Sequence, residues 1–160
     1  MTKKDEKIEE VQKEKMSSNL ESVLGTIALL MLRSPTHKHV FIGDWEWIIM
    51  PPVLSRQFKL FRDRDHQPIG FISWAKISPD VEQRLISGAV KLAPKDWNSG
   101  DKLYIIDIIT VAPIQKQLLQ QLYDHEFKAQ DIYLLRSKKS GGLEGKLLKE
   151  VFTESAEKLN

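Results

Sequence analysis

The sequence predicts an α/β (α+β) fold, a mixed and largely antiparallel sheet flanked by helices. Three observations carry that prediction. Residues 20–33 place apolar side chains at helical spacing. "RQFKLFRD" and "IGFISWAKI" alternate apolar and polar residues on either side of a "DHQP" turn. "KLYIIDIITVAP" is an almost unbroken apolar run that leads into a second helix-period segment.

Taken in order, residues 1–18 form a charged tail, frayed or disordered, in which five lysines balance five acids. Residues 19–160 are expected to form one domain. "SSN" at 17–19 is a candidate helix N-cap. The helix that follows buries Leu20, Val23, Leu24, Ile27, Leu30 and Met31, and Pro35 stops it. "DWEWIIMPPV" alternates Trp45, Trp47 and Ile49, which predicts a short extended segment broken by Pro51 and Pro52. The alternating pair then forms a hairpin. Ser78 caps a helix with Pro79 at its first position and Val81, Leu85, Ile86 and Ala89 on its apolar face. "APKDWNSGD" is a loop, and the apolar run at 102–113 is a central strand. Residues 113–127 read as an amphipathic helix through Ile114, Leu118, Leu122 and Phe127. "DIYLLRS" is a strand and "KKSGG" a turn. A last helix runs from Gly145 to about Lys158, with a strand possible at its start.

Composition excludes several functions. The chain has 160 residues, 41% of them hydrophobic, enough for a real core. A net charge of +2 gives no footprint for nucleic acid. The absence of cysteine rules out disulfides, a thiol nucleophile and zinc–thiolate sites. The charged N-terminus lacks the apolar centre of a signal peptide, and "VLGTIALLML" is about half the length that spans a bilayer. A soluble, cytoplasmic protein is expected.

The chemistry centres on Asp107, a carboxylate inside the most apolar strand. Strand alternation either turns it to solvent or buries it against a partner, and histidine is the natural partner. His37 and His39 follow the first helix in "RSPTHKHVF". As a metal clip they need a third ligand, and no further His or acidic cluster has ligand spacing. His66 in a turn and His125 on a polar helix face are expected in solvent. "VAP" at 111–113 has the outline of a GNAT-type strand-to-helix junction, where a glycine-rich loop cradles the CoA pyrophosphate. Here the loop reads "PIQKQLLQQL" and contains no glycine.

Four segments together, "LGTIALLMLRSPTHKHV", "LFRDRDHQPIGFISWAKIS", "DWNSGDKLYIIDIIT" and "SGGLEGKLLKEVF", resemble the RTX toxin-activating lysine acyltransferases over about residues 20–154. The order and spacing of S-P-x-H, S-W-A and D-W-x-S-G-D followed by I-D carry the resemblance. It implies a cytoplasmic, GNAT-like homodimer with no bound cofactor and no metal. The implied donor is acyl-ACP, so acyl carrier protein is a partner. The implied acceptors are internal lysines of an RTX protoxin. Carried over by residue, the catalytic pair is His37 and Asp107, with Ser34 in support; His39 matches no catalytic position. "RSKKSGG" at 136–142, or Arg56, Arg62 and Arg64, offers the basic surface that an acidic carrier needs. Trp45 and Trp47 are either core or the wall of an acyl groove.

Two features depart from the family pattern. Ile48 stands where the family often has an asparagine that steadies the oxyanion, a donor worth about 10²–10³ in rate. "TVAP" replaces an "APFG"-like turn. Two other readings therefore stay open: a catalytically silent toxin-binding chaperone, and a CoA-dependent GNAT acetyltransferase.

Overall fold

The computed structural model describes residues 19–89 and 91–157. The tail at 1–18, including Ser17 and Ser18 of the candidate cap at 17–19, lies outside the described residues. Helix α1 covers residues 19–33. A 3₁₀ turn, Ile42–Asp44, leads into two short helices, α2 (Trp45–Ile48) and α3 (Met50–Leu54). Strands β1 (Phe58–Arg62) and β2 (Pro68–Ile77) precede α4 (Pro79–Ile86) and a 3₁₀ turn at Pro94–Trp97. Then come β3 (Lys102–Thr110), α5 (Gln115–Leu122) with a π-helical turn at Tyr123–Phe127, β4 (Ile132–Ser137), β5 (Leu143–Leu147) and α6 (Leu148–Glu157).

The five strands lie in chain order, with β3 in the middle. All neighbours are antiparallel except β3 and β4. A parallel neighbour needs a crossover, and α5 with its π turn supplies it. The predicted mixed, largely antiparallel sheet with flanking helices is the observed architecture.

Each face of the sheet is covered. On one, Ile72, Leu103 and Ile105 pack against Leu118, Leu119, Leu122 and Phe127. The π turn explains the five-residue step from Leu122 to Phe127. Widening the helix by one residue keeps Phe127 on the core side. On the other face, Phe71 and Ile109 meet Ile27, Leu30 and Met31 of α1. Beside them, Ala75, Ile77 and Tyr104 meet Val81, Leu85, Leu92 and Trp97.

The segment at 45–54 is helical, where alternation predicted extended chain. Trp45, Ile48, Ile49 and Val53 share one cluster with α1, a helical spacing that the alternation of Trp45, Trp47 and Ile49 masked. Pro51 and Pro52 fall in the first turn of α3, where the missing N–H groups have no helical partner to lose. The hairpin turn is held by Asp63 Oδ1, which accepts from the N–H groups of Asp65 and Gln67, each at 2.9 Å. Ser78 caps α4 by accepting from Val81 N–H. Gly141 and Gly142 take positive φ in the β4–β5 turn, so the chain from Leu143 is strand before it becomes helix.

Gly145 sits in that strand because Tyr104 leaves no room. A Cβ there would lie 1.7 Å from the Tyr104 hydroxyl oxygen. Gly145→Ala is expected to destabilise the fold by about 1–3 kcal/mol, read as a shifted urea midpoint with an unchanged slope.

That hydroxyl donates to Glu82 Oε1 at 2.5 Å, and Lys102 Nζ donates to the same oxygen. Burial, then the Glu82 bond, pushes the Tyr104 hydroxyl well above its ordinary range. Burial alone would raise Glu82, but the bonds from Lys102 and Tyr104 together outweigh it and hold the carboxyl below its usual value. A carboxyl lowered in the folded state contributes stability that is complete above its unfolded value. It fades as pH falls through the folded one. Acid titration of Glu82→Gln should therefore show a smaller loss of stability below about pH 4.5 than the parent chain.

Candidate active site

His37 and Asp107 are 70 residues apart in sequence and in direct contact in the fold. His37 Nε2 lies 2.9 Å from Asp107 Oδ1. Both side chains are largely shielded, 13% and 14% exposed. Neither strand alternation nor helix position alone brings them together.

The histidine is placed by the stop of α1. Ser34, fully buried, donates its N–H to Met31 and accepts from Lys38 N–H, and Val40 N–H bonds to His37. This tight turn after Pro35 folds residues 34–40 back beneath the helix end. His37 faces the sheet while His39 is exposed.

The aspartate is placed by a bulge. Ser73 pairs with Asp107, but the next β2 residue, Trp74, pairs with Ile105, which leaves Ile106 as the extra residue. Before the bulge, Leu103 and Ile105 face α5; after it, Ile109 faces α1. An unbroken ladder would have kept Asp107 on the face of Ile105. The bulge turns it to the face of α1 and His37.

A carboxylate only accepts, so Nε2 carries the hydrogen and Nδ1 presents its lone pair. Two hydroxyls surround that second nitrogen. Thr36 Oγ1 lies at 2.8 Å and Ser34 Oγ at 3.3 Å, with 3.3 Å between the two oxygens. Ser34, the residue the resemblance put in support, lies beside the ring. Thr36 was not foreseen: nothing in its spacing separates it from any exposed threonine, and only the turn geometry aims it at the ring. Asp107 Oδ1 also accepts from the N–H of Ile108 at 2.9 Å. This contact fixes the carboxylate relative to the strand that carries it.

Beside the pair is a cavity of about 130 Å³ lined by Trp47, Ile48, Leu92, Trp97, Ile106 and Asp107. Its walls are mainly apolar, and Asp107 is the charged group on them. Ile48, the departure from the asparagine pattern, therefore shares a cavity with Asp107 and offers it no side-chain donor. Trp47 is wall, held by its N–H to Asp44 Oδ1 at 3.1 Å, while Trp45 packs in the core. Trp97 is anchored by its loop. Gln57 Nε2 donates to the Trp97 carbonyl, and Ser99 N–H bonds to Lys76. Gly100 presses on β2, where a Cβ would fall 2.4 Å from the Ile77 carbonyl oxygen. The D-W-x-S-G motif thereby pins the cavity wall to the sheet.

The remaining histidines, His66 and His125, are exposed. Among the described residues no three His, Asp or Glu side chains cluster as metal ligands. No helix among them is long and apolar enough to cross a membrane. Arg136, Lys138, Lys139 and Lys146 line a surface depression at the β4–β5 turn, together with Glu144 and Glu154. Arg56, Arg62 and Arg64 are exposed around β1.

The sequence matches the family described as "HlyC: RTX toxin acyltransferase family" over residues 16–150. It is 29% identical to the leukotoxin-activating lysine-acyltransferase LktC of a Pasteurella haemolytica-like species, over 90% of this chain and 93% of that one. It is 36% identical to the RTX-II toxin-activating lysine-acyltransferase ApxIIC of Actinobacillus pleuropneumoniae, over 69% of this chain and 66% of that one. With the lysine-acyltransferase RtxC of Vibrio cholerae the identity is 32%, over 58% of this chain and 60% of that one. With a family match that runs from ahead of α1 into α6, the chain belongs to the RTX toxin acyltransferase family.

Proposed function

We propose that this acyltransferase is a cytoplasmic protein-lysine fatty acyltransferase. It takes a fatty acyl chain from acyl carrier protein and places it in amide linkage on internal lysines of an RTX protoxin. The observation that carries the mechanism is the 2.9 Å contact between His37 and Asp107.

A lysine is protonated at neutral pH, with a reference pKa of about 10.4, and only the neutral amine attacks. His37 accepts its proton at Nδ1, the nitrogen that faces away from Asp107. Asp107 holds Nε2–H, fixes the tautomer and stabilises the imidazolium. The amine nitrogen bonds to the thioester carbon and gives its second proton to solvent, and the tetrahedral intermediate collapses with cleavage of the carbon–sulfur bond. The thiolate takes the proton from His37 and leaves as the carrier's free thiol. Thr36 and Ser34 hold the ring in the plane this exchange needs.

The glycine-free junction at 111–114 supports a carrier-protein donor over CoA, because side chains there keep the backbone from a pyrophosphate. The basic rim at Arg136, Lys138 and Lys139 suits an acidic carrier. A homodimer is the expected assembly. The silent-chaperone reading draws on one observation, the apolar Ile48 beside Asp107.

Incubating the protein with acyl-ACP or acyl-CoA and a candidate protoxin, then mapping lysine mass shifts, separates these readings. Transfer from acyl-ACP is expected. Transfer only from CoA would remove the carrier-protein donor, and no transfer from either would leave the chaperone.

A further inference from the structure

Three buried side-chain polar atoms among the described residues have no hydrogen-bond partner: Ser73 Oγ, Trp97 Nε1 and Asp107 Oδ2. They are not scattered. Trp97 and Asp107 line the same cavity. Ser73 is Asp107's partner in the β2–β3 ladder. Residues opposite one another in an antiparallel pair point to one face, with Cβ atoms about 4.5–5.5 Å apart. Ser73 is fully buried and Trp97 is 2% exposed. Two of the atoms belong to donors and the third is an acceptor. Leaving any of them unpaired is costly, so their grouping around Asp107, by shared cavity and by strand register, calls for a reason.

We propose that Trp97 and Ser73 are positioning residues of the transferase. Their N–H and O–H serve the second oxygen of Asp107 and thereby set the basicity of His37. This rests on the reading of His37 as the base. The first oxygen is already engaged by His37 and by Ile108 N–H. When His37 takes the lysine's proton, Asp107 has to remain ionised beside the imidazolium. Donors on Oδ2 favour that ionised form. Tryptophan suits the task because its N–H donates and neither accepts nor titrates near neutral pH, so it does not compete for the proton. One bridging water completes the contact and leaves the first oxygen on His37 and Ile108.

The other charged groups near the cavity are otherwise engaged. Lys91 lies over the Trp47 ring at 5.2 Å, and Asp44 holds the Trp47 N–H. Asp96, beside Trp97 in sequence, pairs with Arg84 at 2.8 Å. On the far side of the imidazole are the Thr36 and Ser34 hydroxyls.

The test is the titration of the His37 ring, followed by NMR in the full-length chain, its Trp97→Phe variant and its Ser73→Ala variant. Losing a donor concentrates negative charge on the oxygen that faces the imidazole, so the midpoint should rise. A rise of about one pH unit is expected for Trp97→Phe, and a smaller one for Ser73→Ala. The acid limb of the transfer rate should move by the same amount, with KM for the protein substrate unchanged. An unmoved midpoint in both variants overturns the proposal. So does an unmoved midpoint with a uniform loss of rate at every pH, which would make Trp97 packing alone. If Trp97→Phe does not fold, Ser73→Ala decides. The midpoint is read without substrate, so a chain that transferred nothing would still test this inference apart from the proposed activity.

Discussion

Replacing His37 with alanine is expected to slow lysine acylation about 10³-fold, with little change in fold stability. The two halves of that expectation have separate causes. In the proposed mechanism the imidazole takes the lysine's proton, and the other three histidines, His39, His66 and His125, are exposed. Stability should hold because the ring makes its contacts at a helix end and leaves the apolar clusters intact. Its loss frees Asp107 Oδ1, which keeps the N–H of Ile108. Mass mapping of modified lysines over time gives the rate, and a thermal melt gives the stability. Added imidazole should restore part of the rate by diffusing into the space left by the ring. Full activity in His37→Ala would sink the mechanism, whatever the melt shows.

Asp107→Asn should be nearly as damaging, lowering transfer about 10²–10³-fold, although it changes a single atom. The carboxylate accepts from Nε2–H and so leaves Nδ1 as the accepting nitrogen, which exchanges its hydroxyl contact for the lysine's proton. An amide can present its NH₂ group to the ring instead, which draws the hydrogen to the wrong nitrogen. It also carries no charge to stabilise the imidazolium. The melting temperature should hold, because a neutral amide is cheaper to bury than a carboxylate. Lost activity with a retained melt marks a chemical role. Lost activity with a collapsed melt would mark Asp107 as structural.

Both expectations rest on residue types visible in the sequence. A carboxylate in the strand 102–110 has to be explained, and the histidine after a proline-stopped helix was the available partner. The strands and helices were equally legible wherever one period dominated. The first helix, the hairpin, the Ser78–Pro79 cap and the central strand all have local signals. Legibility failed where two periods compete. Trp45, Trp47 and Ile49 alternate like a strand, yet Trp45, Ile48, Ile49 and Val53 make the stripe that meets α1. Local pattern had no way to choose between them, because the choice depends on where α1 lies.

The side chains around His37 and Asp107 follow the same division. Ser34 came from resemblance, but Thr36, Ser73 and Trp97 carry no local mark of their place. Ser73 matters because it lies opposite Asp107, and register is a relation between strands 34 residues apart. The sequence alone determined the mixed fold, the candidate base and the carboxylate that pairs with it, and the family pattern that joins them. The tertiary structure decided which way Asp107 points. One extra residue in β3 opposite β2 turns the carboxylate from the α5 face to the face of His37, and a bulge exists only once two strands are paired.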